Sequence, residues 1–180
     1  MNLNRKNVFI WAALLIFAAA ASRLVLYPFN FSPIIAMALF SGSVIADKKY
    51  AFLLPLLAMF LSDVLFEVFN IAPGFWGMGQ VVNYALLALI TVIGFSIKKP
   101  GVLQVAGYSI ASSILFYLVS NTGVWAFEGM YSKDLAGLNA SLVAGLPFLK
   151  NGIVNDLVYC GILFGGYALI THFSTKRAVA

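Results

Sequence analysis

Residues 31–66 read FSPIIAMALFSGSVIADKKYAFLLPLLAMFLSDVLF. Two apolar runs, Phe31 to Ala46 and Tyr50 to Phe69, flank a short turn, Asp47 to Lys49, and no charge interrupts either run before Asp63. A helix that crosses a bilayer needs about 20 mostly apolar residues, within a range of about 17–25. Backbone in lipid finds no water to bond, so such a run must satisfy its own N–H and C=O groups as a helix. The stretch therefore predicts two membrane helices joined by a basic turn, the first of them short. Pro33 suits the first turn of one, where a missing N–H costs nothing, and Pro55 falls in the first turns of the other.

The same reading extends in both directions. Val8 to Tyr27, Val81 to Ile97 and Val102 to Ser120 each form a further apolar run. The last run, Ser141 to Phe173, is too long for one span. Gly145 and Pro147 are predicted to divide it into a short lead-in and a sixth helix from about Phe148 to His172. The chain is 62% hydrophobic and 9% charged, whereas soluble domains are about 45–50% apolar and about 25% charged. Its 180 residues suit a single domain, 1–180, of an all-α polytopic membrane protein. At the start, Arg5, Lys6, an apolar stretch and Ala18 to Ala21 imitate a cleavable signal peptide. The run continues through Arg23 to Tyr27, which makes it long enough to span instead.

Charge tests the count. Six helices with the N-terminus inside place Arg5, Lys6, Lys48, Lys49, Lys98, Lys99, Lys176 and Arg177 in the cytoplasm, and leave only Arg23, Lys133 and Lys150 outside. Each inner segment then carries one basic pair, as the positive-inside rule requires, which predicts N-in/C-in topology and a multi-pass protein of the cytoplasmic (inner) membrane. The net charge of +5 resides in these pairs, and no basic stripe interleaved with aromatics suggests nucleic acid. Among the loops, the inner ones are minimal. The outer ones, Asn70 to Gln80 and Asn121 to about Ala140, are long and hold Trp76 and Trp125 beside glycines. Either tryptophan reads as part of an interfacial aromatic belt or as part of a lid over an outward-facing cavity.

Polar groups at membrane depth are costly and default to functional hypotheses. Asp63 and Glu67 share a face in the outer half of helix three, Arg23 lies near the outer end of helix one, Asn83 starts helix four and Asn121 ends helix five. On helix six, Asn151 and Asn155 share a face, with Asp156 beside them. This one-sidedness predicts a cavity open to the outside and closed below by apolar side chains. Its candidate wall is Arg23, Asp63, Glu67, Trp76, Asn83, Asn121, Trp125, Asn151, Asn155 and Asp156. The asparagines suit a neutral heterocycle, and the carboxylates favour a neutral or cationic ligand over a polyanion. The competing reading is structural: Arg23 pairs with Asp63 or Glu67, and the asparagines are interhelical glue. Glu128, Lys133 and Asp134 read as solvated loop charges, and His172 as an interface residue. The chain has one histidine and one cysteine, Cys160, and no H-E-x-x-H, G-x-S-x-G or P-loop motif. Neither catalysis, a metal site nor a cofactor is expected.

The stretch quoted above resembles the second and third helices of S-components, the substrate-binding membrane subunits of energy-coupling-factor vitamin transporters. The shared pattern is a small-residue A-L-F-x-G segment, a basic turn, then a Pro-containing helix ending in S-D. SNTGVWAFEGMY and GLPFLKNGIVNDLVYCGILFGGY resemble an uncharacterised bacterial membrane family similar to those S-components. Together these stretches cover about two-fifths of the chain. The resemblance implies a six-helix S-component-like bundle with an outer ligand cavity roofed by loops, a vitamin-like small-molecule ligand, and a coupling transmembrane subunit with ATPases docking on helix one. Here Ala12, Ala13 and Ala18 to Ala21 lack the regular four-residue spacing that many relatives show there, so the coupling partner stays open. The alternative function is a non-catalytic membrane scaffold or assembly subunit.

Overall fold

The computed structural model describes residues 5–25 and 32–177. Within them lie six α-helices and no strand: α1 (Arg5–Val25), α2 (Ile34–Val44), α3 (Lys48–Val68), α4 (Met78–Gly94), α5 (Val102–Phe127) and α6 (Leu135–Arg177). By length and composition α1, α3, α5 and α6 can each cross a membrane, while α2 and α4 are apolar but shorter. The predicted end of the first helix at Tyr27 and start of the second at Phe31 lie outside the described residues. Pro33 immediately precedes α2, and its carbonyl accepts from Met37 N at 2.8 Å. Asp47 is the N-cap of α3 and accepts from Lys49 N at 2.8 Å, which satisfies one orphan donor of the first turn.

α2 sits at the centre. Every residue from Ile34 to Gly42 is buried, and the helix touches all five others. A helix enclosed on every side has no polar face to offer, which explains why its sequence shows no amphipathic stripe. Its closest approach is to α4. A Cβ on Gly42 would overlap the Thr91 carbonyl oxygen, and one on Gly94 would stand 2.7 Å from the Leu39 carbonyl oxygen and 3.1 Å from Gly42 Cα. Small residues at such a crossing let two backbones meet. Farther along, Phe40 packs edge-on against Phe164 and Tyr167, with ring centroids 5.3 and 5.7 Å away.

The second half of the chain departs from the expected boundaries. Gly145 and Pro147 do not divide the last apolar run, because α6 is one helix of 43 residues with Pro147 inside it. Gly145 is there for space: a Cβ would collide with the Asn121 side chain of α5. The long outer loop beginning at Asn121 is also shorter than expected, residues 128–134 alone. Asn121 and Thr122 stay helical by bonding back to the Tyr117 and Leu118 carbonyls at 2.8 and 2.7 Å, a helix-compatible use of residues that often favour turns. Gly129, at φ +69°, takes the left-handed position of the loop. Asp134 then caps α6 by accepting from Gly137 N at 2.7 Å and from Ser132 Oγ at 2.8 Å. Those donors hold its carboxyl below its ordinary value. Lys133, expected to be solvated, donates to the Trp125 carbonyl.

α5 and α6 run antiparallel, with Ser113 against Asp156 and Asn121 against Gly145. On α1, Ala12, Ala19 and Ala20 are buried in the bundle. The small residues that the resemblance would place on a docking face are therefore partly spent on internal packing. The outward stripe of α1 is Ile10, Trp11, Leu14, Ala18 and Ala21.

Candidate functional site

The C-terminal ends of α1, α3 and α5 and the N-terminal ends of α2, α4 and α6 gather at one end of the bundle. A cavity of about 770 Å³ opens there, within the range of small-molecule sites at about 300–1,000 Å³. α5 presents Ser113, Phe116, Tyr117, Ser120, Asn121 and Val124 to it, a spacing of three and four that defines one helical face. α6 presents Phe148, Leu149, Gly152, Asn155 and Asp156 in the same way. Arg23, Ser32, Ile34, Ile35, Phe66, Pro73, Trp76 and Asn83 complete the wall.

Asp63 is fully buried, 0% exposed, beside this cavity and does not line it. Its Oδ1 accepts from Arg23 Nη1 at 2.9 Å, and its Oδ2 accepts from Tyr84 OH at 2.8 Å and Gln80 Nε2 at 3.1 Å. Arg23 also donates to Ser62 Oγ, and its guanidinium lies 4.9 Å from the centre of the Phe66 ring. Both carboxylate oxygens are thereby engaged, and the charge opposes that of Arg23. Gln80 reaches further, to the Gly74 carbonyl at 2.8 Å, and Glu67 accepts from Gly74 N and Phe75 N at 2.8 and 3.1 Å. A Cβ on Gly74 would overlap the Asp63 carbonyl oxygen. The segment that carries Trp76 is therefore fastened to the end of α3 by both acidic residues of that helix.

Asn155 and Asp156 have the opposite character. Asp156 is 3% exposed and accepts from Ser113 Oγ at 2.7 Å. Asn155 is 1% exposed; its Nδ2 donates to the Ser32 carbonyl at 2.7 Å, while its Oδ1 has no partner among the described residues. The Ser32 hydroxyl is likewise unpartnered among them. Buried polar atoms in folded proteins are nearly always bonded, so an unpartnered acceptor in a cavity wall marks a point at which a ligand's donor would be held.

Of the ten residues singled out in the sequence, the structure brings six to the cavity: Arg23, Trp76, Asn83, Asn121, Asn155 and Asp156. The other four lie elsewhere. Asp63 is behind Arg23, Glu67 caps the loop, Trp125 donates to the Ser132 carbonyl at 2.8 Å, and Asn151 is exposed one turn from Asn155. Residues not singled out include Ser113, Phe116, Tyr117, Ser120 and Gly152. Their three-and-four periodicity along α5 and α6 was the available signal. Gln80 and Tyr84, the remaining partners of Asp63, gave none.

The model of DUF6580, described as a family of unknown function, matches residues 3–178. No curated protein and no solved structure matches the chain.

Proposed function

The chain belongs to the DUF6580 family, and we propose that it is a six-span protein of the cytoplasmic membrane that binds a vitamin-like small organic molecule in its cavity, as the non-catalytic substrate-binding subunit of an uptake system. The observation that carries this reading is the cavity itself. Arg23, Trp76, Asn83, Asn121, Asn155 and Asp156, from five different parts of the chain, converge on one space of ligand size, and a buried acceptor in its wall has no partner among the described residues. The resemblance of residues 31–66 to S-components supports the same reading. Because that resemblance includes a coupling subunit with ATPases, and the sequence contains no nucleotide-binding motif of its own, energy for uptake is assigned to such a partner.

Gly152 supplies the test. It lines the cavity, and a Cβ there would meet nothing within 4 Å, so Gly152→Phe should fill the space without disturbing the fold. Native mass spectrometry of the purified protein should find a stoichiometric small molecule in the parent, lost in Gly152→Phe and retained in Gly161→Phe, an exposed helix position that is equally open. A molecule retained in Gly152→Phe would move the site elsewhere.

The basic pairs put the cavity mouth on the outer face. In a Cys160→Ser background, Lys133→Cys should react with an impermeant thiol reagent in intact cells and Lys98→Cys should not. Reaction at position 98 would sink the six-span topology. The scaffold alternative draws on one observation: Asp63 and Glu67 are both spent on tying elements together. An empty cavity in the parent protein would favour it.

A further inference from the structure

Among the described residues the cavity wall holds one guanidinium and one carboxyl side chain, Arg23 and Asp156, and they are not equivalent. Arg23 is faced by the Asp63 carboxylate at 2.9 Å, so its charge is balanced within the protein. Asp156 has a neutral hydroxyl, Ser113 Oγ, as its bonded partner, and no ion pair to it exists among the described residues. Next to it in sequence, and also on the wall, Asn155 gives its amide nitrogen to the Ser32 carbonyl, and its oxygen has no partner among the described residues. The assignment of that amide is fixed by its partner, since turning it over would set oxygen against oxygen. On the opposite helix Asn121 likewise donates its nitrogen to a backbone carbonyl, that of Tyr117. This wall thus carries oxygen acceptors, one of them a carboxylate with no paired cation among the described residues, and Asn155 Oδ1 and the Ser32 hydroxyl are buried there without a partner among those residues. Around them stand Phe66, Phe116, Phe148 and Trp76.

We propose that the ligand is an organic cation: a flat apolar body seated among these aromatic side chains, carrying an ammonium or amidinium head whose N–H groups donate to the Asp156 carboxylate and Asn155 Oδ1. The assignment rests on the binding function proposed above and specifies its chemistry. A carboxylate or phosphate head would meet Asp156 with like charge and find no donor at Asn155 Oδ1. A neutral hydroxyl head would satisfy one acceptor and leave the charge of Asp156 unopposed. A hydrogen bond to a charged group is worth more than one between neutral groups, so the cation gains most from this floor.

Three probes share one ring and differ in the head: tryptamine, tryptophol and indole-3-acetate. Calorimetric titration into the full chain in lipid nanodiscs, with empty nanodiscs as the blank, should rank them in that order. Tryptamine is expected to bind roughly tenfold to a hundredfold more tightly than indole-3-acetate. Asp156→Asn should bring the amine down to the level of the alcohol, and Gly152→Phe should abolish binding of all three. If Asp156→Asn does not fold, Asn155→Leu, which removes the free acceptor and no charge, should still weaken the amine about tenfold. Indole-3-acetate binding as tightly as tryptamine, with Gly152→Phe still blocking it, would overturn the cation assignment and leave the cavity function standing. A preference for the amine that is indifferent to both the Asp156 and the Asn155 changes would overturn the assignment in the same way. Binding of none of the three, or binding that survives Gly152→Phe, would overturn the cavity function and this assignment together.

Discussion

Arg23→Met is expected to cost about 3–5 kcal/mol of stability, the usual effect of leaving one member of a buried ion pair without its partner. Asp63 is 0% exposed and Arg23 is 6% exposed, so both charges are largely withdrawn from water. Methionine keeps much of the length and apolar contact of arginine, including the face against Phe66, which isolates the charge. The second variant, Arg23→Met with Asp63→Asn, removes the orphaned charge and retains a side chain that can still accept from Gln80 and Tyr84, so it should recover a substantial part of the loss. Equilibrium unfolding in mixed detergent micelles measures both. A single variant within about 1 kcal/mol of the parent, the range of exposed pairs, would mean that the pair is solvated rather than enclosed.

Gly42 carries the second large effect. Its missing Cβ would occupy the place of the Thr91 carbonyl oxygen, with Gly94 Cα 3.0 Å away. What it meets is backbone on both counts, and backbone cannot rotate aside as a side chain can. Gly42→Ala should therefore separate α2 from α4 and cost about 1–3 kcal/mol, as overpacking does in well-packed cores, while Gly42→Leu should yield no folded protein. Gly161→Ala, where nothing lies within 4 Å, should instead gain a few tenths of a kcal/mol to about 1 kcal/mol from helix propensity. The same unfolding assay compares them. Equal stability of the two alanine variants would show that α2 and α4 do not cross at Gly42.

Much of this arrangement was legible in the sequence because lipid imposes simple rules. Runs of apolar residues had to be helices, and the Asp47 to Lys49 turn had to leave the apolar layer. Arg23 was expected to meet Asp63 or Glu67, and it is Asp63 that it pairs with. What the sequence concealed depends on partners that no local rule supplies. Pro147 sits exposed inside α6, where a helix break was expected. Asn121 and Thr122 look like a loop entrance until the carbonyls one turn back accept their donors. Asp63 looks like a ligand group until Gln80 and Tyr84, from a helix that begins ten residues after α3 ends, consume its remaining oxygen. Asn155 and Asn151 are indistinguishable in sequence, yet one is buried with an oxygen that has no partner among the described residues and the other is exposed.

The enclosure of α2 bears on how the protein is made. At about 1.5 Å per residue its 11 residues reach only about 17 Å, roughly half of a hydrocarbon layer about 30 Å thick. A chain synthesised from its N-terminus produces α2 before α4, α5 and α6 exist to surround it. In the six-span arrangement proposed above, the nascent chain then holds a helix too short for its solvent, which the bilayer would accommodate by thinning, at a fraction of a kcal/mol per Å of mismatch. The completed bundle removes α2 from the lipid and with it this penalty. Enclosure therefore relieves the finished protein of the mismatch of α2, so under that arrangement thicker bilayers should slow its biogenesis.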